Sequence, residues 1–270
     1  MLARLSTLVL VAALLSACAV SPTGRRQLSL VSEESAIAAS KEAYLAQMSE
    51  LGTSGKLVTD PAVTGRVDRI TGRLVAQAVM LRPETAQWEW SVEVIDDPMM
   101  INAWCMAGGR MAVYTGLLQQ IDPTDDELAQ VMGHEISHAL ANHTAERMSV
   151  AMATQAGVAA AGVFGGDNAG LVMGAAAVAA QYAIQLPNGR AAESEADEIG
   201  IELAAKAGYN PNAAVTLWQK MAAAGGEGPP QFMSTHPSPA NRQQRLGELA
   251  PQMMAYYEAA RSPPSFAIQR

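Results

Sequence analysis

The chain has 270 residues, of which 49% are hydrophobic and 5% aromatic, and its formal net charge is −8. A chain of this length can bury a full hydrophobic core within one domain. The negative charge argues against a nucleic-acid partner, because such proteins carry basic surfaces. Abundant Ala, Gly and Met with few aromatic residues indicate tightly packed helices.

The first residues have the pattern of an export signal. A weakly basic start precedes an apolar run that is too short to span a bilayer. The run ends in Leu15-Ser16-Ala17-Cys18, which resembles a bacterial lipobox. Residues 1–17 are therefore predicted to be a lipoprotein signal peptide, with Cys18 lipidated, and Ala19 resembles the sorting pattern for the outer membrane. An ordinary secretory signal, cut near the same small residues, is the alternative.

The composition divides the rest of the chain into three parts. Residues 18–32 contain Ser, Pro, Gly and two arginines and are predicted to be a tether. Residues 33–260 are predicted to form the domain, and residues 261–270 a loose tail. With Cys18 lipidated, Cys105 has no partner for an intramolecular disulfide, and its apolar neighbours predict a small buried side chain.

The first half of the domain is predicted to hold two helices and a small sheet. Apolar residues at helical spacing predict helices over residues 33–51 and 60–81. Three segments have the features of strands, the last two around the hairpin signal Gly108-Gly109: 88–95, 101–106 and 110–114. The fold class is therefore α+β, with about three strands.

The second half is predicted to be helical. Thr124 and Glu127 form a capping box, and the helix that they open is expected to continue towards Met148. Further segments have helical spacing: 190–206, 211–224 and 239–257. Residues 232–239, with their prolines, are predicted to be extended.

Residues 150–184 are rich in Ala and Gly and almost free of charge. They are interrupted by Gly165-Gly166-Asp167-Asn168, and neither half reaches the ~20 strongly apolar residues that a membrane span needs. Two helices packed through small residues, or a lid over a site, are favoured over a membrane hairpin.

The motif most informative about chemistry is His134-Glu135-Ile136-Ser137-His138. Two histidines four residues apart point the same way on a helix, so their rings can share one zinc ion. Glu135 falls beside that metal, where its carboxylate can take a proton from a water molecule. The chain has only four histidines, so chance would rarely place two of them at this spacing around a glutamate.

Zinc in a hydrolase needs a third protein ligand and one open position. His143 is rejected, because five residues after His138 it falls on the far side of a continuous helix. Glu193 and Asp197 share a helix face, which predicts Glu193 as third ligand and Asp197 as hydrogen-bond partner of a ligand histidine. This order of motifs is the signature of gluzincin metalloproteases. The alternative third ligand is Glu195. If Glu195 is not a ligand, its side chain is expected to be solvated.

Four segments, in order, resemble the family-48 metallopeptidases, over a stretch from about Leu57 to Leu249. They are residues 102–109 with 113–118, His134–His138, Glu193–Asp197, and Ser234–Ser238 with Asn241-Arg242. The resemblance implies a mostly helical gluzincin-type domain that holds one Zn²⁺ per chain.

The resemblance also implies roles that spacing cannot assign. Asn102, Ala103 and Trp104 would lie on an edge strand to which an extended substrate adds. His236 would act at the metal, either approaching zinc and regulating access or stabilising an oxyanion; a plain structural role is the alternative. Arg242 would aid transition-state binding or form a salt bridge.

The function implied is that of a zinc metalloendopeptidase of the bacterial periplasm. It would be anchored to the outer membrane and would degrade unfolded or misassembled envelope proteins, with Glu135 as general base. The alternative is an assembly factor for outer-membrane proteins whose zinc site is largely latent.

Overall fold

The computed structural model describes residues 18–164, 189–224, 231–236 and 241–269. The predicted signal peptide, residues 1–17, lies outside the described residues. The chain divides into two compact units. One comprises residues up to 36 together with 142–186, and the other comprises residues 37–141 and 187–270.

The first unit begins with a small antiparallel hairpin of β1 (Cys18–Val20) and β2 (Arg26–Leu28). The Arg25 guanidinium donates two hydrogen bonds, of 2.8 and 2.6 Å, to the carboxylate of Glu146. The Ser149 hydroxyl accepts hydrogen bonds from two further backbone amides, at 2.9 Å each. These bonds hold residues 18–32 in place, which differs from the tether predicted from their composition.

Glu146 and Ser149 belong to helix α4 (His143–Phe164), which also lies in this unit. The remainder of the Ala- and Gly-rich segment, residues 165–188, lies outside the described residues. Most of the segment predicted to form packed helices or a lid falls on these residues. Among the helices that the structure describes, none combines the length and the apolar character needed to cross a bilayer.

The second unit contains a three-stranded sheet in the order β3-β5-β4. Its strands are β3 (Ser91–Ile95), β4 (Ala103–Cys105) and β5 (Arg110–Tyr114). Strands β4 and β5 form the predicted hairpin, and β3 runs parallel to β5. Gly109 has a φ of 84°, and a Cβ there would lie 2.5 Å from the Trp90 ring, so only glycine suits this turn.

Helix α3 (Asp125–Leu140) is the centre of this unit, and every residue from Glu127 to Leu140 is buried. It packs against β4 and against helices α2 (Pro61–Leu81) and α5 (Arg190–Lys206). The predicted capping box is present, because Thr124 and Glu127 exchange both hydrogen bonds. Helix α1 (Glu33–Thr53) lies mostly in this unit and contributes Tyr44, whose ring meets Trp104 edge-on.

Helix α3 ends earlier than predicted. Asn142 adopts a left-handed conformation with φ of 56°, which breaks the helix before α4 begins at His143. The spacing argument against His143 assumed a continuous helix and therefore does not apply. His143 is nevertheless a buried residue, 1% exposed.

The described part of this unit contains three further α-helices: α6 (Ala213–Ala224), α7 (Gln231–Thr235) and α8 (Arg242–Ala259). It also contains a 3-10 helix (Pro83–Gln87) and a short π-helix (Leu117–Ile121). The prediction of an extended segment over residues 232–239 is wrong for its first part, because α7 forms one helical turn. The His236 amide donates to the Phe232 carbonyl at 3.0 Å and closes that turn. The prolines that suggested an extended chain lie after this turn.

The last residues are held against the core, unlike the loose tail predicted. The Phe266 amide donates to the Gly72 carbonyl at 2.8 Å, and the Gln269 amide donates to the Trp90 carbonyl at 2.9 Å. Gly72 permits this contact, because a Cβ there would lie 2.7 Å from the Phe266 carbonyl oxygen. Backbone hydrogen bonds thus order a segment whose composition resembles a free terminus.

Candidate metal centre

Four buried side chains converge in the second unit. His134 and His138 come from α3, Glu193 comes from the first turn of α5, and His236 follows α7. Each offers one donor atom, and all four atoms lie within 4.8 Å of one another. The structure thus brings the three predicted ligands together with His236.

The spacing of these donors suits a single ion. The two Nε2 atoms of His134 and His138 are 3.0 Å apart, and His236 Nδ1 is 3.3 Å from the former. The Glu193 carboxylate lies 3.1 Å from His236 Nδ1 and 3.3 Å from His134 Nε2. Four ligands around a tetrahedral zinc, at bonds of about 2.05 Å, are separated by roughly 3.3 Å.

The polar atoms of the cluster call for a cation. Glu193 Oε2 is buried and has no hydrogen-bond partner. Burial alone would raise the pKa of Glu193, but the close His134 and His236 rings outweigh it and hold the pKa far below its usual range. Glu193 therefore stays ionised in a buried site, where an anion needs a positive partner.

The electrostatic surroundings of His134 also favour a positive charge at the cluster. Burial and the nearby Arg242 guanidinium each lower its pKa, but hydrogen bonds to Asp197 and Glu193 outweigh them and raise the pKa to about 9. Without a metal, the cluster thus favours a proton on this ring, and a divalent cation would satisfy the same carboxylates. These donors fit the zinc site that the sequence predicts.

Asp197 contacts His134 from the next turn of α5. Its Oδ1 lies 2.9 Å from His134 Nδ1, so Nδ1–H donates to the carboxylate, and this hydrogen bond would fix the tautomer that leaves Nε2 available to a metal. The Arg242 guanidinium also donates to Asp197 Oδ1, and its centre lies 3.8 Å from the Trp218 ring centroid. Of the two roles considered for Arg242, the structure shows the salt bridge.

Glu135 lies beside the cluster without belonging to it. Its side chain is buried, and its Oε1 lies 3.5 Å from His236 Nε2 without a hydrogen-bond partner. Burial is the main cause that raises its pKa above the usual value. Burial and, to a smaller extent, the Glu135 carboxylate raise the pKa of the Cys105 thiol.

The rival ligand Glu195 is not part of the cluster. It is 4% exposed, so the expectation that it is solvated is wrong. Glu193 and Asp197 face α3 from adjacent turns of α5, and this geometry favours Glu193 as the ligand. His143 is likewise not among the four residues that come together.

Strand β4, which carries Ala103 and Trp104, lies at one of the two edges of the three-stranded sheet. The amide of Tyr114 donates to the Asn102 carbonyl, so the main chain of Asn102 faces β5. Because alternate residues of an antiparallel strand face opposite sides, the main-chain groups of Ile101 and Ala103 face outward. The Ala103 amide donates to the Asn102 side chain at 3.0 Å, and the Ile101 carbonyl accepts from Phe232 at 3.1 Å.

A close crossing of two helices assembles the site. A Cβ on Gly133 would lie 2.8 Å from the Gly200 carbonyl oxygen, and one on Gly200 would lie 2.8 Å from the His134 amide nitrogen. These two glycines let α3 and α5 approach until Glu193 and Asp197 reach His134. Sequence reasoning missed them, although Gly133 directly precedes the histidine motif.

Replacing Gly200 by alanine is expected to weaken zinc binding at least tenfold and to lower stability by about 1–3 kcal/mol, because the backbone of α3 cannot yield to the new methyl group. Chelator competition and thermal melting measure the two effects. Gly247→Ala on α8 is the matched control, since a Cβ there meets nothing within 4 Å. Unchanged zinc affinity in Gly200→Ala would show that the crossing does not position the ligands.

Comparisons with known proteins agree with this site. The profile of peptidase family M48 matches residues 61–250. The chain is 33% identical over 243 residues to the mitochondrial metalloendopeptidase OMA1 of Schizosaccharomyces pombe, covering 88% of this chain and 68% of that protein. The beta-barrel assembly-enhancing protease of Yersinia pestis is 30% identical over 231 residues, covering 82% of this chain and 46% of that protein.

The human metalloendopeptidase OMA1 is 32% identical over 257 residues, which cover 91% of this chain. This chain spans less than half the length of the human protein, 48%, and of the Yersinia protein, 46%. The matched region contains all four converging side chains, together with Glu135 and Asp197. The chain therefore belongs to peptidase family M48.

Proposed function

We propose that this protein is a zinc-dependent endopeptidase that cleaves unfolded or misassembled proteins of the bacterial envelope. The observation that carries the proposal is the convergence of His134, His138, Glu193 and His236 at distances suited to zinc, with Glu135 beside them. A purely structural zinc site would have no need of a buried carboxylate at that place.

His134, His138 and Glu193 would hold the metal. A zinc ion bound there supplies Lewis-acid polarisation and lowers the pKa of a water molecule. Glu135 takes the proton of the attacking water and later gives a proton to the leaving amine. Its pKa, raised mainly by burial, suits both steps, because a general base works best when its pKa approaches the working pH.

His236 makes the described arrangement a closed form of the site. Its Nδ1 lies among the ligand atoms, and its Nε2 lies 3.5 Å from Glu135 Oε1. The ring therefore fills the space between the donors and the general base, where a reacting water must lie. We infer that His236 is a fourth donor that must leave before catalysis; stabilising an oxyanion would be a role of the open form.

The edge strand supports a preference for extended substrates. An unfolded segment can add to β4 through main-chain hydrogen bonds, whereas a folded protein has few segments free to do so. Asn102, Ala103 and Trp104 are the proposed substrate-binding residues.

The envelope location rests on the sequence before the domain. The lipobox-like segment ending at Cys18 would place the protein on the outer membrane, facing the periplasm. The similarity to a bacterial beta-barrel assembly-enhancing protease is compatible with this, although the mitochondrial OMA1 relatives are similar too. Incorporation of labelled palmitate, lost in Cys18→Ser, is the test of the anchor.

The activity is tested by cleavage of an unfolded protein. Zinc-loaded full chain is expected to cut casein, to lose that activity on removal of zinc with a chelator, and to regain it when zinc is restored. Absence of cleavage at stoichiometric zinc, with His236→Ala equally inactive, would refute the endopeptidase proposal.

The closed site favours one second candidate, an assembly factor for outer-membrane proteins with a largely latent zinc site. His236 among the ligand atoms is the observation behind it. The two candidates differ in cells: Glu135→Gln would abolish the effect of a protease and leave that of an assembly factor intact.

A further inference from the structure

We propose that Phe232 is a positioning residue: its ring holds His236 in the metal centre, and its backbone ties that position to the edge strand β4. The inference rests on the proposed role of His236 as a fourth donor.

The ring of Phe232 fixes the plane of His236. The two rings are stacked, with centroids 4.7 Å apart and planes 26° from parallel. The Phe232 side chain is only 1% exposed, and the centroid of the Trp218 ring, over which the Arg242 guanidinium lies, is 5.9 Å from that of Phe232. Because the buried Phe232 ring also contacts Trp218, it cannot readily follow a His236 ring that turns away from the metal centre, and the stacking contact would be lost.

The backbone of Phe232 connects His236 to the segment that leads into the edge strand β4. Its amide donates to the outward-facing carbonyl of Ile101 at 3.1 Å, and its carbonyl accepts from the His236 amide at 3.0 Å. One helical turn therefore links the Ile101 carbonyl, two residues before β4, to the histidine in the candidate metal centre.

An extended substrate would compete for this anchor. A peptide that adds to the outer side of β4 pairs with the outward-facing carbonyls, and that of Ile101 already accepts from Phe232. Binding of the peptide at Ile101 thus favours the arrangement in which the Phe232 amide has left. That arrangement lacks one constraint on His236, so substrate binding shifts the population towards an open metal centre.

A double-mutant cycle tests the ring. His236→Ala is expected to raise the rate of casein cleavage per bound zinc, and Phe232→Leu to raise it about two- to tenfold, the range of one aromatic contact. The double variant should be no faster than His236→Ala alone. An unchanged rate in Phe232→Leu, or effects that multiply, would overturn the inference. Leu74→Ala, another fully buried truncation, is the control that lowers stability without raising the rate.

Cobalt spectroscopy tests the link to the strand without any cleavage. In full-chain Glu135→Gln loaded with Co²⁺, an extended peptide of Val, Thr and Ser, which carries no metal-binding side chain, should change the visible absorption. The spectrum should move towards that of the same protein carrying Phe232→Leu, in which the peptide has little further effect. A peptide that binds, as judged by fluorescence anisotropy, yet leaves the spectrum unchanged would refute the coupling.

The two proposals can fail separately. A fall in rate in His236→Ala would refute the positioning role and leave the endopeptidase proposal standing. If no zinc-loaded form cuts casein, the endopeptidase proposal fails, and the cobalt spectra still decide whether Phe232 links the strand to His236.

Discussion

Glu135→Gln is expected to abolish cleavage of unfolded protein and to leave zinc binding intact. Glu135 lies beside the four donor atoms and is not one of them, so the amide should not disturb the ligands. Glutamine keeps the shape of the side chain but cannot accept a proton, and loss of a positioned general base lowers the rate by about 10²–10⁴-fold. Initial rates on casein, divided by the zinc content of each sample, measure the effect.

The matched control is Glu127→Gln, the same change on the same helix. Glu127 is also buried, but it serves the capping box of α3 and an ion pair with Lys220. Its replacement should lower stability by roughly 0.5–2 kcal/mol and leave the rate per zinc nearly unchanged. Equal rate losses in both variants would mean that the Glu135 effect is a loss of folding. Full activity in Glu135→Gln would exclude it as the base.

Helix α3 could be predicted from the sequence because its signals are local. The capping box at Thr124 and the spacing of His134 and His138 depend only on helix geometry, and both are present in the structure. The same holds for Glu193 and Asp197, which share a face of α5, and for the β4–β5 hairpin at Gly108-Gly109. The α+β class followed from these elements and is confirmed.

Other parts of the site depend on contacts between distant segments. Nothing near Trp218 or Phe232 in the sequence indicates that they support Arg242 and His236, since that role exists only once α6 and α7 pack beside the cluster. The Gly133–Gly200 crossing also joins two distant positions. The tail after residue 260 is ordered through hydrogen bonds to Gly72 and Trp90, which no local pattern reveals.

The charges around the cluster explain why several carboxylates can share one buried place. Glu135, Glu193 and Asp197 are all buried at or beside the cluster. Arg242, which lies against Glu193 and Asp197, supplies a fixed positive charge. When all three carboxylates are ionised and the His134 ring is neutral, as it must be to bind a metal through Nε2, two negative charges remain unbalanced. A divalent cation restores neutrality, and this balance, more than any single distance, makes the site one for a metal.

By the same charge argument, a change at Glu193, the proposed third ligand, is the strictest test of the centre. Glu193→Ala removes one donor and one of the two unbalanced charges, so its zinc affinity is expected to fall at least about 100-fold, beyond the effect typical of a supporting residue. The rise in melting temperature that zinc produces should disappear at zinc concentrations that saturate the wild-type chain.

Glu195→Ala is the control for that variant, because it is the same truncation at an equally buried position of the same helix. It should cost stability in the absence of metal yet keep both zinc affinity and the zinc-dependent rise in melting temperature. The reverse result, with zinc binding lost in Glu195→Ala and kept in Glu193→Ala, would make Glu195 the ligand. Since Glu195 does not join the convergent donors, such a result would also require α5 to turn about its axis when the metal binds.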